Sequence, residues 1–301
     1  MMQAREIRRR IKTIKKTAQM THAMELVAAA KMRRAQEAAR AARPYSQTLE
    51  TMLQHLLRSI KPNAHPLMQK RAVKHTTLLF TTPDRGLCGA LNANLARALL
   101  LHPDILTARS ESPVSLITIG KRGQLLASRL EMNLELDYER HDPPQFEGSV
   151  QLAKTMINRF QKHATDRVLF LYPHFASTMK QEIRVKTILP IMTFEVTGEL
   201  GEAHTVSSVL GRQYLQYGFE PTSDAVLEAT LPHYVEMWIY QIFLEASACE
   251  HSSRMIAMKE ATDNAKGLES DLTLMLNRVR QEAITNELLD LTSAGVALGG
   301  K

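Results

Sequence analysis

Both ends of the chain contain long stretches without the residues that usually stop a helix. Neither Gly nor Pro occurs between Gln3 and Arg43, and between His233 and Ala294 the one interruption of this kind is Gly267. At ~1.5 Å per residue, these stretches would make helices of roughly 60 and 90 Å. Because helices in globular proteins centre on about three or four turns, the sequence predicts two unusually long helices.

Each stretch carries a row of mostly small apolar residues spaced in steps of four and three. This spacing keeps the row on one side of a helix and is typical of a coiled-coil seam. The N-terminal row consists of Ile7, Ile11, Ile14, Ala18, Thr21, Ala28, Met32, Ala35 and Ala39, with Glu25 also on it. The C-terminal row consists of Ala257, Ala261, Ala265, Leu268, Leu272, Met275, Val279 and Ala283.

The two stretches have opposite charge. Residues 1–43 hold twelve Lys or Arg against three Glu, a net charge of +9, whereas residues 250–298 hold eight acidic against five basic residues, a net charge of −3. Single surface ion pairs contribute only about 0–1 kcal/mol, so charge would favour the pairing and the seams would hold it. We therefore predict an antiparallel coiled coil formed by the two ends of the chain.

The middle of the chain alternates between short apolar runs and helical stretches. Buried strands are predicted at 76–81, 115–119, 167–172 and 183–188, and helices near 93–101, 123–130 and 150–163. This alternation indicates an α/β layer with a largely parallel sheet. Pro44 is expected to kink or interrupt the first long helix, and the segment 61–66, which contains two Pro, is expected to end it.

Residues 82–92, directly after the first predicted strand, are the nearest candidate for a phosphate-binding loop. The sequence contains no GxxxxGK[ST] motif, and no GxGxxG follows a strand. Glycines in 82–92 would let backbone N–H groups hold an anion, but a tight strand-to-helix turn capped by Asp84 is favoured. Cys88, close to Arg85, would be either a reactive thiol or, as we favour, a small buried residue.

Other kinds of chemistry leave no recognisable pattern. The eleven His residues show no HxH, HExxH or i,i+4 pair, and the two cysteines, Cys88 and Cys249, lie far apart in the sequence. There is no GxSxG motif and no evident acid–base pair of carboxylates. We therefore expect neither an independent enzyme nor a bound cofactor or metal.

The net charge of +7 suggests an anionic partner. A basic nucleic-acid-binding coiled-coil protein is the alternative interpretation, because the first helix is strongly basic. Against it, the basic residues share their helix with the apolar seam, and residues 1–43 contain no aromatic residue for base stacking. No window of 18 uninterrupted apolar residues occurs, so a membrane span is not expected.

Several segments resemble F-type ATP synthase gamma subunits. The N-terminal helix of that family is similar to residues 4–11 (AREIRRRI) and 21–33 (THAMELVAAAKMR), and its central signature to residues 84–92 (DRGLCGALN). Residues 250–265 (EHSSRMIAMKEATDNA) and 277–288 (NRVRQEAITNEL) resemble its C-terminal helix. The matching segments lie at both ends and in the centre of the chain, in the same order as in the family.

The resemblance implies an α/β central domain, Rossmann-like with a mostly parallel sheet, plus a long antiparallel two-helix coiled coil formed by the N- and C-terminal helices. It implies the division 1–60 (N-terminal coiled-coil helix), 61–209 (α/β body) and 210–301 (c-ring-facing segment and C-terminal coiled-coil helix). The chain would be the central rotor shaft of a proton-translocating ATP synthase, one copy per complex. Its partners would be the alpha3beta3 hexamer, the epsilon subunit and the membrane c-ring, and the catalytic residues would belong to the beta subunits.

The resemblance also assigns contact residues. It implies that the coupling contacts to beta are made by Met24, Arg254, Gln281, Thr285 and Glu287. It implies that the foot on the c-ring contains Tyr217, Phe219 and Glu220, where Phe219 replaces a tyrosine of the family. Ser252 and Ser253 stand where two alanines are usual. With no transit segment recognised, the expected location is peripheral, on the cytoplasmic face of the bacterial inner membrane.

Overall fold

The structure is a computed structural model that describes residues 2–58, 65–191, 220 and 222–299. The chain divides into two compact units. Unit 1 comprises Met1–Ala28 and Arg254–Lys301, and unit 2 comprises Ala29–Ser253. The predicted domain boundaries near residues 60 and 209 fall outside the described residues, so the division at 60 and 209 stays a prediction.

The two predicted long helices are present as α1 (Met2–Arg58) and α6 (Ser223–Gly299), of 57 and 77 residues. The expected interruption at Pro44 is wrong, because α1 continues for fourteen residues beyond it to Arg58. A proline inside a helix costs about 3 kcal/mol. Buried leucines further along α1 in unit 2 offset this cost, among them Leu53 and Leu56.

In unit 1, the covered side of α1 follows the predicted row. Ile7, Ala18 and Ala28 are buried, and the residues between them at steps of four and three are half-buried. Ala and Thr on a seam allow two helices to approach closely because their side chains are short. The N-terminal half of the predicted seam is therefore confirmed.

The covered side of α6 in unit 1 departs from the predicted row. Of the predicted row, Ala257, Ala261, Ala265, Leu272, Val279 and Ala283 are buried or half-buried, and Met258, Thr262, Glu269 and Leu276 are also covered. Leu268 and Met275 are more than half exposed, so their assignment to the seam is wrong. Each stands one residue, or about 100° of helix rotation, away from a seam position. Thr262 contacts Thr21, and the two hydroxyl oxygens lie 2.7 Å apart.

Unit 2 contains a five-stranded sheet in the order β3-β2-β1-β4-β5. The first four strands are parallel, and β5 pairs antiparallel with β4. In chain order its elements are β1 (Thr76–Thr81), α2 (Leu91–Leu101), α3 (Pro103–Glu111), β2 (Val114–Ile119), α4 (Lys121–Arg129), β3 (Leu134–Tyr138), α5 (Phe146–Gln161), β4 (Arg167–Phe175) and β5 (Gln181–Leu189). The predicted fold class is confirmed.

Two elements were absent from the sequence prediction. Strand β3 has the pattern LELDY, with its three central side chains exposed, because it lies at the edge of the sheet. Helix α3 begins at Pro103 directly after α2, and the His102 side chain accepts a hydrogen bond from the Asp104 N–H. Short elements with weak apolar periodicity give little signal in a sequence.

The sheet separates two apolar cores. Leu79 and Phe170 point to the side covered by α1, α5 and α6, whereas Leu78 and Phe80 point to the side covered by α2, α3 and α4. Successive strand residues face opposite sides, so a parallel sheet buried on both faces has the continuous apolar runs seen in the sequence. Unit 2 is therefore a three-layer α/β unit with the unit 2 parts of the two long helices on one side.

Candidate functional site

The turn after β1 is bound to the neighbouring strand–helix connection. The Asp84 side chain accepts a hydrogen bond from the N–H of Lys121 (2.9 Å), and Thr82 Oγ1 accepts one from the N–H of Gly123 (2.7 Å). Asp84 thus bonds to the first residue of α4, whereas α2, which begins at Leu91, has no side-chain cap at Ala90. The predicted capping of the helix that follows the turn by Asp84 is therefore wrong, because its carboxylate faces the neighbouring helix α4 instead.

Cys88 is a buried residue of this turn. It is 1% exposed, and its sulfur accepts a hydrogen bond from the Asn92 side-chain amide at 3.2 Å. Among the described residues, no group of three or more His, Cys, Asp or Glu side chains is placed to hold a metal ion. Of the two interpretations of Cys88, the buried one is confirmed.

The carboxyl end of the sheet binds the middle of α6. Arg140, in the loop after β3, donates to Glu250 (2.5 Å) and to the carbonyl oxygen of Thr82 (3.2 Å). The side chains of Arg140 and Glu250 are only 7% and 10% exposed. On β4, His174 Nδ1 lies 2.8 Å from the Glu245 carboxylate. These buried polar pairs link the loop after β3 and the strand β4 to the same helix, α6.

A second ionic bridge lies on the same loop. The Asp142 carboxylate contacts His251 Nε2 at 3.2 Å and accepts a hydrogen bond from Lys31 Nζ at 2.8 Å. The hydrogen bond with His251, supported by Lys31, holds the pKa of Asp142 well below its usual range, although partial burial opposes the shift. Tyr45 also lies 2.7 Å from His233, so within unit 2 positions rise along α1 as they fall along α6. The two helices are therefore antiparallel there.

Cys249 completes this contact region. Its thiol donates to the carbonyl oxygen of Pro173 at 3.4 Å, and burial, followed by the nearby Glu245 charge, raises the pKa of the thiol. A thiol with a raised pKa is mostly protonated at neutral pH and reacts slowly. Cys249 is therefore a packing residue.

Unit 1 exposes many large apolar side chains although its seam is covered. Each of them is 37% to 67% exposed, so the pairing of the two helices leaves much of their apolar surface uncovered. We call the set the apolar ridge, although its members point in several directions around the two helices: Met20, Met24, Leu26, Val27, Leu268, Leu274, Met275, Ile284, Leu288 and Leu289.

The coupling residues implied by the sequence lie at separate places in unit 1. Met24 is on α1 and 37% exposed, and Arg254 is half-buried on α6. Gln281 and Thr285 are exposed and adjacent on α6, and Thr285 Oγ1 donates to the Gln281 carbonyl oxygen at 2.9 Å. Along the helix they stand roughly 40 Å from Arg254. Glu287 also belongs to α6.

The implied foot on the c-ring is described at one position. Glu220 is exposed, while Tyr217 and Phe219 lie outside the described residues. In the part of the chain that the structure describes, no helix is long and apolar enough to cross a membrane.

Comparisons with known proteins agree with this architecture. The family model described as ATP synthase matches residues 3–298. The ATP synthase gamma chain of Herpetosiphon aurantiacus is 40% identical over 307 residues, with 99% of each chain covered, and that of Methylacidiphilum infernorum is 39% identical over 306 residues, covering 99% of this chain and all of its relative. The chain belongs to the ATP synthase gamma chain family.

Solved structures share the gamma chain fold at lower identity. A chain in the Euglena gracilis mitochondrial ATP synthase (OSCP, F1 and c-ring) matches with a TM-score of 0.63 at 18% identity, covering 98% of this chain and 94% of that one. A chain in the central stalk and c-ring of the Tetrahymena thermophila mitochondrial enzyme matches with a TM-score of 0.57 at 22% identity, covering 80% and 99%. Both matches support the fold of this gamma chain.

The two serines that depart from the gamma chain pattern are accounted for by their contacts. Ser252 Oγ donates to the carbonyl oxygen of Thr178 (2.6 Å), and Ser253 Oγ donates to the Gln181 side chain (3.0 Å). Both serines are buried. A buried hydroxyl is costly unless it is hydrogen-bonded. Here Thr178, in the connection between β4 and β5, and Gln181, the first residue of β5, supply the acceptors.

The ionic contacts of Arg140, Asp142 and His174 were missed in the sequence. Their partners are 71 to 111 positions away. The available signal was the pair Glu250–His251, which directly follows a mostly apolar run in α6. Charged residues in such a run indicate buried ionic partners.

Proposed function

We propose that this chain is the central rotor shaft of a proton-translocating F-type ATP synthase. It couples rotation of the c-ring to conformational cycling of the catalytic beta subunits, in the direction of ATP synthesis or hydrolysis. The observation that carries the proposal is the apolar ridge of unit 1. Since the seam between the helices is covered separately, the ridge is left for other subunits.

The shaft acts by contacting three beta subunits differently. A single chain has no threefold symmetry, so at any angle each beta subunit meets a different part of its surface. A partner shifts a conformational equilibrium only through a difference in contact energy between the states. A shift from 1:99 to 99:1 requires about 5.5 kcal/mol, which corresponds to roughly 200 Å² of apolar burial. A few side chains of the apolar ridge cover such an area.

The coupling contacts are assigned to Met24, Arg254, Gln281, Thr285 and Glu287. The exposure of Met24, Gln281 and Thr285 supports these roles, since a contact residue must be reachable. The separation of Arg254 from Gln281 and Thr285, roughly 40 Å along α6, supports two levels of contact on the shaft. The foot on the c-ring is assigned to Tyr217, Phe219 and Glu220.

The remaining partners follow from the same proposal. The shaft is present as one copy per alpha3beta3 hexamer, and unit 2 contacts the epsilon subunit and the c-ring. Nucleotide chemistry takes place on the beta subunits, and this chain contributes no catalytic residue. The complex is placed at the cytoplasmic face of a bacterial inner membrane, where the chain is peripheral.

Coupled turnover tests the proposal. The complex assembled with Glu287→Lys or Arg254→Ala is expected to assemble normally, to lose at least half of its ATP-driven proton pumping in inverted vesicles, and to keep the chain folded. Lys162→Ala, an exposed residue of unit 2 after α5, is the matched control and should pump at the wild-type rate. Full pumping by both shaft variants would remove these residue assignments. Failure of the wild-type chain to co-purify with alpha and beta subunits would remove the function.

A further inference from the structure

The segment Glu245–Ser253 of α6 is enclosed to an extent unusual for a helix. Eight consecutive residues, Ala246–Ser253, are buried, which is more than two full turns. A helix that merely lies on a sheet buries one stripe and exposes the other. Within unit 2 this part of α6 is therefore covered on every side.

The bonds that enclose the segment come from several directions. We call the residues that supply them the collar: Arg140, Asp142, Pro173, His174, Thr178 and Gln181. In the same order, their partners on α6 are Glu250, His251, Cys249, Glu245, Ser252 and Ser253. At about 100° per residue, the bonded positions on α6 span roughly 260° of its circumference. Bonds that reach around a cylinder oppose its rotation about its own axis, which a one-sided apolar contact does only weakly.

The chemistry of the central pair supports an orienting role. A buried ion pair adds little net stability, because desolvation offsets the attraction, and apolar replacement of both partners is often neutral. Its directional hydrogen bonds do, however, admit one geometry. Arg140 is held from a second side by the Thr82 carbonyl oxygen, so its guanidinium has a fixed position from which to orient Glu250.

We propose that Arg140 is a positioning residue that, through Glu250, sets the rotational orientation of α6 within the collar and makes this junction torsionally stiff. The inference rests on the proposed rotor function, since stiffness matters where torque passes from unit 2 into the helix. A stiff junction transmits a rotation without a lag. A junction free to twist stores part of each step as helix rotation.

Single-molecule rotation of the assembled complex tests the proposal. A bead is attached to unit 2 through Leu101→Cys, an exposed position on α2, while the native Cys88 and Cys249 are buried. The readout is the variance of the bead angle during catalytic pauses, and the hydrolysis rate is measured in parallel. The double variant Arg140→Met with Glu250→Leu is expected to assemble with a wild-type unfolding temperature but to show at least twice the variance.

The matched control removes an ion pair of the same unit that does not touch α6. Arg159 on α5 pairs with Glu135 on β3, and Arg159→Met with Glu135→Leu should leave the variance unchanged. Glu250→Gln, which keeps the shape and removes the charge, is expected to give an intermediate variance. Wild-type variance in the assembled Arg140–Glu250 variants would overturn the proposal. So would failure of both variants to assemble while the control pair assembles, because the pair would then be needed for folding. If the wild-type complex does not rotate at all, the proposed function itself fails.

Discussion

Replacing Gly120 by alanine is expected to destabilise unit 2 strongly. Gly120 connects β2 to α4 with a φ of 104°, a conformation that residues with a Cβ rarely adopt. An added Cβ would lie 2.3 Å from the carbonyl oxygen of Thr82 and 3.3 Å from Asp84 Oδ1. The backbone must therefore move by about 1 Å to restore van der Waals contact.

The cost of Gly120→Ala follows from the strain and from the bonds that the movement disturbs. A non-glycine residue at such a φ costs about 1–3 kcal/mol. Thr82 accepts hydrogen bonds from Gly123 N–H and from Arg140, which together contribute about 2–3 kcal/mol when intact. With partial loss of these bonds, we expect a decrease of about 3–5 kcal/mol in the free energy of unfolding of unit 2.

Urea unfolding followed by fluorescence of Trp238 measures this decrease. Trp238 is the one tryptophan of the chain and lies in unit 2, where Lys186 Nζ stands 3.2 Å from its ring centroid. With a slope of about 2 kcal/mol per M, the midpoint should fall by roughly 1.5–2.5 M. Gly148→Ala in α5 is the control, because its Cβ would meet no atom within 4 Å and alanine stabilises a helix by about 0.5–1 kcal/mol. Equal midpoints for Gly120→Ala and the wild type would refute the reasoning.

Three further outcomes are expected. The isolated chain should show negligible ATP binding by calorimetry, and micromolar affinity would contradict its assignment as a non-catalytic subunit. Thr262→Val should lower the stability of unit 1 by about 1 kcal/mol, because the bond between the Thr262 and Thr21 hydroxyls is lost, although Thr21 keeps its bonds to carbonyl oxygens of its own helix. In thermal melting followed by circular dichroism, Thr273→Val, whose exposed hydroxyl bonds within its own helix, should change little. His251, together with Lys31, holds the pKa of Asp142 below its usual range, so the stabilisation from this carboxylate is present above about pH 4 and is lost as the pH falls through its folded-state pKa. The difference between the urea midpoints of the wild type and Asp142→Asn should therefore stay constant above about pH 4 and shrink as the pH is lowered below that value. A difference that does not shrink below about pH 4 would argue against the bridge.

The long helices could be predicted because their periodicity persists over many turns. On α1 the predicted row is the covered side, since Ile7, Ala18 and Ala28 keep one phase. On α6 the prediction chose Leu268 and Met275, which stand next to the seam residues Glu269 and Leu276. Leu268 was chosen because its covered neighbour is polar, whereas Met275 and Leu276 are both apolar and periodicity alone does not separate them. The seam also contains the polar residue Thr262. Thr262 fits the seam because its hydroxyl contacts that of Thr21, which lies 241 positions away. A partner so distant cannot be inferred from the residues around Thr262 in the sequence.

Four of the five strands of the sheet were predicted, and the edge strand β3 was missed. Strands β1, β2 and β4 are buried on both faces and read as continuous apolar runs, whereas β3 exposes Glu135 and Asp137. The antiparallel direction of β5 was not foreseen, because the alternation of strands and helices indicates only the parallel part. The collar was missed for a different reason, since ionic partners far apart in sequence are identified only when the fold places them together.

The apolar ridge also bears on the chain before it joins a complex. Two unassembled copies each present exposed leucines and methionines, among them Leu274 and Met275, and burying these against each other is favourable. Free copies at high concentration are therefore prone to self-association and precipitation. Production of this subunit in excess of its partners would then yield aggregates, so recombinant expression should succeed best when the subunits that cover the ridge are made alongside it.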